Sequence, residues 1–434
     1  MAPDLSASAP AFELRSGSSW ADPFASYADL REHSPIHRVP TTSTSIATSG
    51  HGTDPGEYWV LTRHADVVAA ANDPATFSSA DGLTVLYGEL DAIGMRDNPP
   101  MVMTDPPAHT RFRSLVARGF TPRQVIELEP LVREFVVDRL ERIDAADEVN
   151  IVDELFKPLP SMVVAHYLGV PDTDRGQFDA WTEAIVGADP TGGAATIASG
   201  PGDDDATATA AAAATDLLGY FAQLIDHRRD HPGTDTVSHL VAAGLGDDPA
   251  GTLSILAFTF TMVAGGNDTT TGMLGGSVAL LSECPDQRDR LLADTSMIGP
   301  AIEEFLRLTS PVQNLARTTT RDVEFDGPAG PVTIPAGRKV LLCYAAANRD
   351  PRVFGADADR LDVGRNPRNI LTFSHGAHHC LGAAAARLQA RVALTELLTR
   401  FPDFTVDVPG IRWAAGNYVR RPTHVGFRPE PGLR

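Results

Sequence analysis

Cysteine is scarce in this chain: Cys284, Cys343 and Cys380 are the three among 434 residues. An odd number at wide separation excludes a disulfide framework and any metal site built from two or four thiolates. One cysteine acting alone stays open. Basic residues are outnumbered, with 36 Lys and Arg against 56 Asp and Glu, and the resulting net charge of −20 opposes binding to nucleic acid or to an anionic membrane surface. Long apolar runs are missing too. The longest, Leu253 to Gly266, falls short of the roughly 20 residues that a bilayer span needs, and Asn267 and Asp268 close it. The start of the chain has neither the basic residues nor the apolar stretch of a secretory signal. Residues 1–18, rich in Ser, Ala and Pro, read as a disordered tail before a single domain covering 19–434. A cytoplasmic protein without a membrane anchor is expected.

What is present is ordinary globular composition, 43% hydrophobic and 21% charged, enough for a sizeable core. Apolar residues recur with helical spacing in Phe112 to Leu140, Val152 to Leu168, Ala206 to Arg229, Ile255 to Ser282, Ile298 to Leu308 and Ala383 to Phe401. Strand patterns are fewer. Tyr58 to Leu61 reads as a strand, and Val332 to Tyr344 reads as a hairpin turning at Ala336-Gly337. The fold class is therefore mainly α with a small β subdomain. Gly187 to Asp205, made largely of Gly, Ala, Asp, Pro, Ser and Thr, reads as a surface loop or a lid between two helices.

The strongest chemical signal is Phe373-Ser-His-Gly-Ala-His-His-Cys-Leu-Gly382, directly before a helical pattern. Gly376 and Gly382 let backbone approach a flat ligand closely, and amides at a helix N-terminus can point at a thiolate and stabilise its charge. A lone cysteine is usually an inert small hydrophobe. These neighbours argue for a metal-bound sulfur instead. The stretch resembles the haem-binding loop of soluble bacterial, actinobacterial-type cytochromes P450. The resemblance implies haem b (iron protoporphyrin IX), with Cys380 as its thiolate ligand, Phe373, Gly376 and Gly382 shaping the loop, and His378 on a haem propionate.

Three further matches follow the family's order. Asp105-Pro-Pro-Ala-His-Thr-Arg-Phe-Arg113 breaks from a turn into a helix, with His109 and Arg113 one turn apart. The resemblance makes them propionate ligands, joined by Arg317. Glu304-Phe-Leu-Arg307 matches the family's E-x-x-R pair, a structural element completed there by a meander arginine, for which Arg360 is the candidate. Ala264-Gly-Gly-Asn-Asp-Thr-Thr-Thr271 reads either as a helix stop or as a local distortion in one long helix. Resumed helical spacing at Met273, Leu274, Val278 and Leu281 favours the long helix. Its likeness to the family's distal helix puts Gly265 beside the haem and gives catalytic roles to Asp268, as proton relay, and Thr269, as hydrogen-bonding hydroxyl.

The implied reaction is insertion of one oxygen atom from O2 into a hydrophobic small molecule, as hydroxylation or oxidative dealkylation. Electrons would come from NAD(P)H through a ferredoxin and its reductase, docking near Arg118, Arg387 and Arg391. Substrate contacts are expected from the loop Thr84 to Met103, from Met262 and Val263, from Val312, Gln313, Asn314 and Leu315, and from Val419 in the Asn417-Tyr-Val419 turn. A haem carrier or sensor, and a haem-thiolate enzyme that uses peroxide, are the rival readings; the Asp268-Thr269 pair weighs against both.

Overall fold

Asp248 and Pro249 start the longest element of the molecule. The Asp248 carboxylate accepts a hydrogen bond from Gly251 N at 2.8 Å, and Pro249 fills the first helical position, where a missing N–H costs nothing. The helix Pro249–Glu283 then runs for 35 residues, until Cys284 and Pro285 end it. In the computed structural model, which describes residues 11–40, 56–92, 94–144, 146–187 and 204–430, this helix is α throughout. The distortion expected at Gly265 to Asp268 is absent. Side chains there bond back to the preceding turn: Asn267 Nδ2 donates to Val263 O at 2.7 Å, Thr269 Oγ1 to Gly265 O at 3.0 Å and Thr270 Oγ1 to Gly266 O at 3.3 Å.

The long helix is apolar and long enough to cross a bilayer, yet it is a core helix of this fold. Its second half, with Met273, Leu274, Val278 and Leu281, packs with Val132, Val136, Leu140, Phe305 and Leu394; its first half, with Ile255, Phe258 and Val263, packs with Phe178, Leu217 and Phe221. Two helical runs expected to be continuous are broken. Gly119, Pro122 and Pro130 divide the first into Ala108–Val116, Pro122–Glu127 and Glu129–Ile143. Pro158 separates a π-helical turn, Val152–Phe156, from Pro158–Leu168. The flanks of the low-complexity segment are the helices Arg175–Gly187 and Asp204–Asp230; the loop or lid expected between them lies outside the described residues.

The main sheet has the strand order Ile36–Pro40, Glu57–Leu61, Lys339–Leu342, Leu315–Thr319 and Phe77–Ser78, antiparallel except for the parallel second pair. The hairpin expected over 332–344 is not formed. Gly330–Ile334 pairs with Val323–Gly327, whereas Lys339–Leu342 joins the main sheet; the Ala336-Gly337 turn passes the chain from one sheet to the other. Both arrangements give the same alternation, so the pattern alone could not separate them. The tail expected over 1–18 is also too long. Residues 1–10 lie outside the described residues, but Phe12 is buried against Tyr27 and Tyr58, and Gly17–Trp20 forms a helical turn.

Candidate active site

The cysteine loop is closed by its own backbone, with Cys380 N donating to Phe373 O at 2.9 Å. Gly376 is required where it stands: its φ is 65°, and a Cβ there would come within 2.6 Å of Ala71 O. The helix Ala383–Arg400 begins directly behind the loop. The backbone N–H groups of Gly382 and Ala383 point at the Cys380 sulfur. Burial pushes the Cys380 thiol up, while those two amides, Arg113 and Arg387 pull it down. Cys380 is an exposed residue although its sulfur lies deep among protein atoms, which fits a residue that opens onto space inside the fold.

Four nitrogen-bearing side chains gather beside this loop. The rings of His109 and His378 lie 4.2 Å apart, Arg113 donates to His379 O at 2.5 Å, and Arg317, from the main sheet, is close enough to press on His378 electrostatically. Burial, then Arg317, His109 and Arg113, bring His378 down to about 3. Burial and Arg113 likewise lower His109. Both ring nitrogens of His109 are buried without a hydrogen-bond partner. Such a cluster is costly by itself and suits acidic oxygens that would satisfy it. Ser79, which no pattern in the sequence singled out, adds its hydroxyl 3.2 Å from His378 Nε2 and is held by Ser79 N donating to Asp105 Oδ1 at 2.9 Å.

The long helix meets open space at Gly265 and Thr269. A Cβ at Gly265 would meet nothing within 4 Å, and one at Gly382 would reach only Cys380 Sγ, at 4.0 Å. The protein's own atoms leave room at both places. A thiolate-stabilising loop, two arginines beside a histidine whose ring nitrogens lack partners, and this room together fit an anionic, flat, metal-bearing group. Thr269 spends its hydroxyl proton on Gly265 O and offers lone pairs to the space. Asp268 is turned aside: its Oδ2 lies 2.8 Å from Arg421 Nε, with both side chains nearly buried. Nothing in the sequence marked Arg421.

A family model for cytochrome P450 matches residues 213–407. Cytochrome P450 130 of Mycobacterium tuberculosis is 59% identical over 419 residues, covering 96% of this chain and 97% of its own. The vitamin D(3) 25-hydroxylase of Pseudonocardia autotrophica is 35% identical, covering 91% of this chain and 90% of its own. Among solved structures, Mycobacterium marinum cytochrome P450 CYP268A2 in complex with pseudoionone superposes with a TM-score of 0.81 at 30% identity, over 94% of this chain and 96% of that one. This chain belongs to the cytochrome P450 family. It is accordingly a monooxygenase that binds haem b through a cysteine thiolate.

Elsewhere in this P450, Glu304 and Arg307 form a fully buried bidentate pair at 2.7 and 2.8 Å. The third member is Arg365, whose Nε donates to Glu304 Oε1 at 3.2 Å. Arg360 is not that residue. Its side chain is exposed, and only its carbonyl takes part, accepting from Arg307 at 3.5 Å. Of the expected pocket residues, Met262, Val312 and Leu315 are partly exposed, and Val312 bridges Val419. Val263 is turned into the core, because it lies on the helix face opposite the open space. Gln313 is fully buried and spends its amide on Ser310 O and Thr309 O at the end of the preceding helix; Asn314 is buried beside it. The basic patch is also weaker than expected, since Arg387 pairs with Glu303 and Arg391 with Glu129, while Arg118 is exposed.

Proposed function

We propose that this P450 holds haem through the Cys380 thiolate, with His109, Arg113, Arg317 and His378 on the propionates, and oxygenates a hydrophobic small molecule by hydroxylation or oxidative dealkylation. The observation that carries the reading is Cys380 itself, exposed as a residue yet with its sulfur deep in the fold and met by the amides of Gly382 and Ala383. The haem supplies dioxygen binding and O–O cleavage, favoured by electron density from the thiolate. The chain's own residues bind, exclude water and move protons. Thr269 holds a hydroxyl at the open face of the long helix, and the Asp268 carboxyl exchanges protons with solvent where an apolar helix face cannot. Met262, Val312, Leu315 and Val419 give the substrate an apolar surround. Electrons come from NAD(P)H through a ferredoxin and its reductase, in the cytoplasm; of Arg118, Arg387 and Arg391, Arg118 is the exposed one without an ion pair among the described residues, and it suits an acidic partner.

The test measures product, hydrogen peroxide and NADPH together, using a compound selected because it shifts the haem spin state. Thr269→Ala binds the compound and consumes NADPH, but releases a larger share of the electrons as peroxide. Asp268→Asn slows product formation by about tenfold or more. Full coupling at the native rate in Thr269→Ala contradicts the role of the hydroxyl and favours peroxide-using chemistry.

A further inference from the structure

Asp268 is nearly buried, although it is only three residues from Gly265, where the long helix meets open space. Gly265 and Thr269 lie one turn apart beside that space, whereas the flank bearing Asp268 and Gly275, and Gly272 two turns beyond Gly265, is covered by protein. The C-terminal turn packs there. A Cβ at Gly272 would come within 2.7 Å of Arg420 O, and one at Gly275 within 2.5 Å of Pro422 Cγ, so the two glycines are what allow residues Arg420 to Pro422 to touch the helix. Arg421, between those contacts, places its Nε 2.8 Å from Asp268 Oδ2, with the two side chains 9% and 7% exposed. The turn is itself anchored: Arg420 N donates to Pro311 O at 2.8 Å, Ala414 N to Arg421 O at 3.0 Å, and Val419 bridges Val312.

We propose that Arg421 is a positioning residue for proton delivery, fixing the Asp268 carboxylate where the helix face bearing Thr269 meets the turn bearing Val419. The inference rests on the reading of Asp268 as the proton relay. An ionised carboxylate at this depth needs a cation. A guanidinium serves without competing for the proton in transit, because it offers five donors and no lone pair to accept one. The consequence is a mechanical link. The segment that borders the substrate space at Val419 also holds the relay acid, so what fills that space bears on proton supply through a rigid turn two residues long.

The experiment uses haem-loaded protein and follows NADPH-driven oxygen uptake in H2O and D2O, with a plant-type ferredoxin and its reductase as electron donors. Asp268→Asn and Arg421→Gln each slow uptake about tenfold and raise the solvent isotope effect at least twofold. The double variant is no slower than Asp268→Asn, and Arg421→Lys, which keeps the cation, returns the isotope effect close to the native value. Thermal unfolding gives a second readout: the losses in Tm of the single variants do not add in the double variant, as for two partners in contact. An Arg421→Gln protein with the native isotope effect overturns the inference while leaving the relay intact, provided Asp268→Asn raises it. A native isotope effect in Asp268→Asn overturns the relay reading itself. If Arg421→Gln does not load haem, Arg421→Met, which keeps the unbranched stem, is judged by the same criterion.

Discussion

Glu304 shows what one residue's surroundings decide. Its carboxylate is fully buried, and such a group is tolerated only when cations and amides satisfy it; Arg307, Arg365 and Asp362 N do so. Arg365→Ala therefore destabilises the fold by about 2 kcal/mol, whereas Arg360→Ala changes it by less than ~0.5 kcal/mol, measured by denaturant unfolding of the haem-loaded protein. The pair Glu304-Arg307 was legible because both residues lie one turn apart on one helix. The choice between Arg360 and Arg365 was not, because an irregular segment has no period from which side-chain direction can be read. Ser79 and Arg421 escaped for a related reason, converging on His378 and Asp268 from distant parts of the chain.

Lys339 is a second residue whose burial has a measurable consequence. It is fully buried in the main sheet with Nζ donating to Asp81 O at 2.6 Å, and burial brings its ammonium down from 10.5 to about 8, with Glu89 and Asp81 opposing. Between those two values the unfolded chain binds more protons than the folded one, so stability from this group rises with pH across the window. Below about pH 8 the penalty of burying the charge is fully present. Lys339→Met removes that slope. The stability of the native protein relative to Lys339→Met improves by roughly 3 kcal/mol on going from pH 8 to 10.5. A difference that stays flat over this range contradicts the account.

At the scale of elements, the long helix was recognisable from apolar spacing on both sides of Gly265-Gly-Asn-Asp268, but its regularity was not. Helix propensity counts Gly, Asn and Thr as unfavourable. It does not count the hydrogen bonds that Asn267, Thr269 and Thr270 return to the preceding turn, nor the packing that glycine permits. Gly272 is a case in point, with the Arg420 carbonyl oxygen 2.7 Å from where its Cβ would be. Gly272→Ala should gain up to about 1 kcal/mol by helix propensity in an exposed helix; here the backbone must shift instead, and the net cost is about 1–3 kcal/mol. Thermal unfolding of Gly272→Ala decides between the two signs. The mistaken hairpin over 332–344 has the same lesson: alternation identified strands correctly but carried no information about which sheet each strand joins.

Over the whole molecule, a net charge of −20 coexists with a cluster of buried His109 and Arg317 and half-buried Arg113 and His378. That concentration of positive and imidazole groups around internal space is the electrostatic counterpart of an acidic cofactor. The cysteine loop was legible from sequence because its chemistry needs contiguous residues: a thiolate, glycines that admit a flat ring and a helix start. Substrate identity was not, since the apolar wall draws on separated segments and part of its expected roster, Val263 and Gln313, is core. The most direct measurement is the carbon monoxide spectrum of the reduced, haem-loaded protein and its Cys380→Ser variant, with Cys284→Ser as control. The red-shifted band of a thiolate-ligated haem is predicted for the native and Cys284→Ser proteins and is lost in Cys380→Ser. A Cys380→Ser protein that keeps this band and native turnover would contradict the assignment of Cys380 as the ligand.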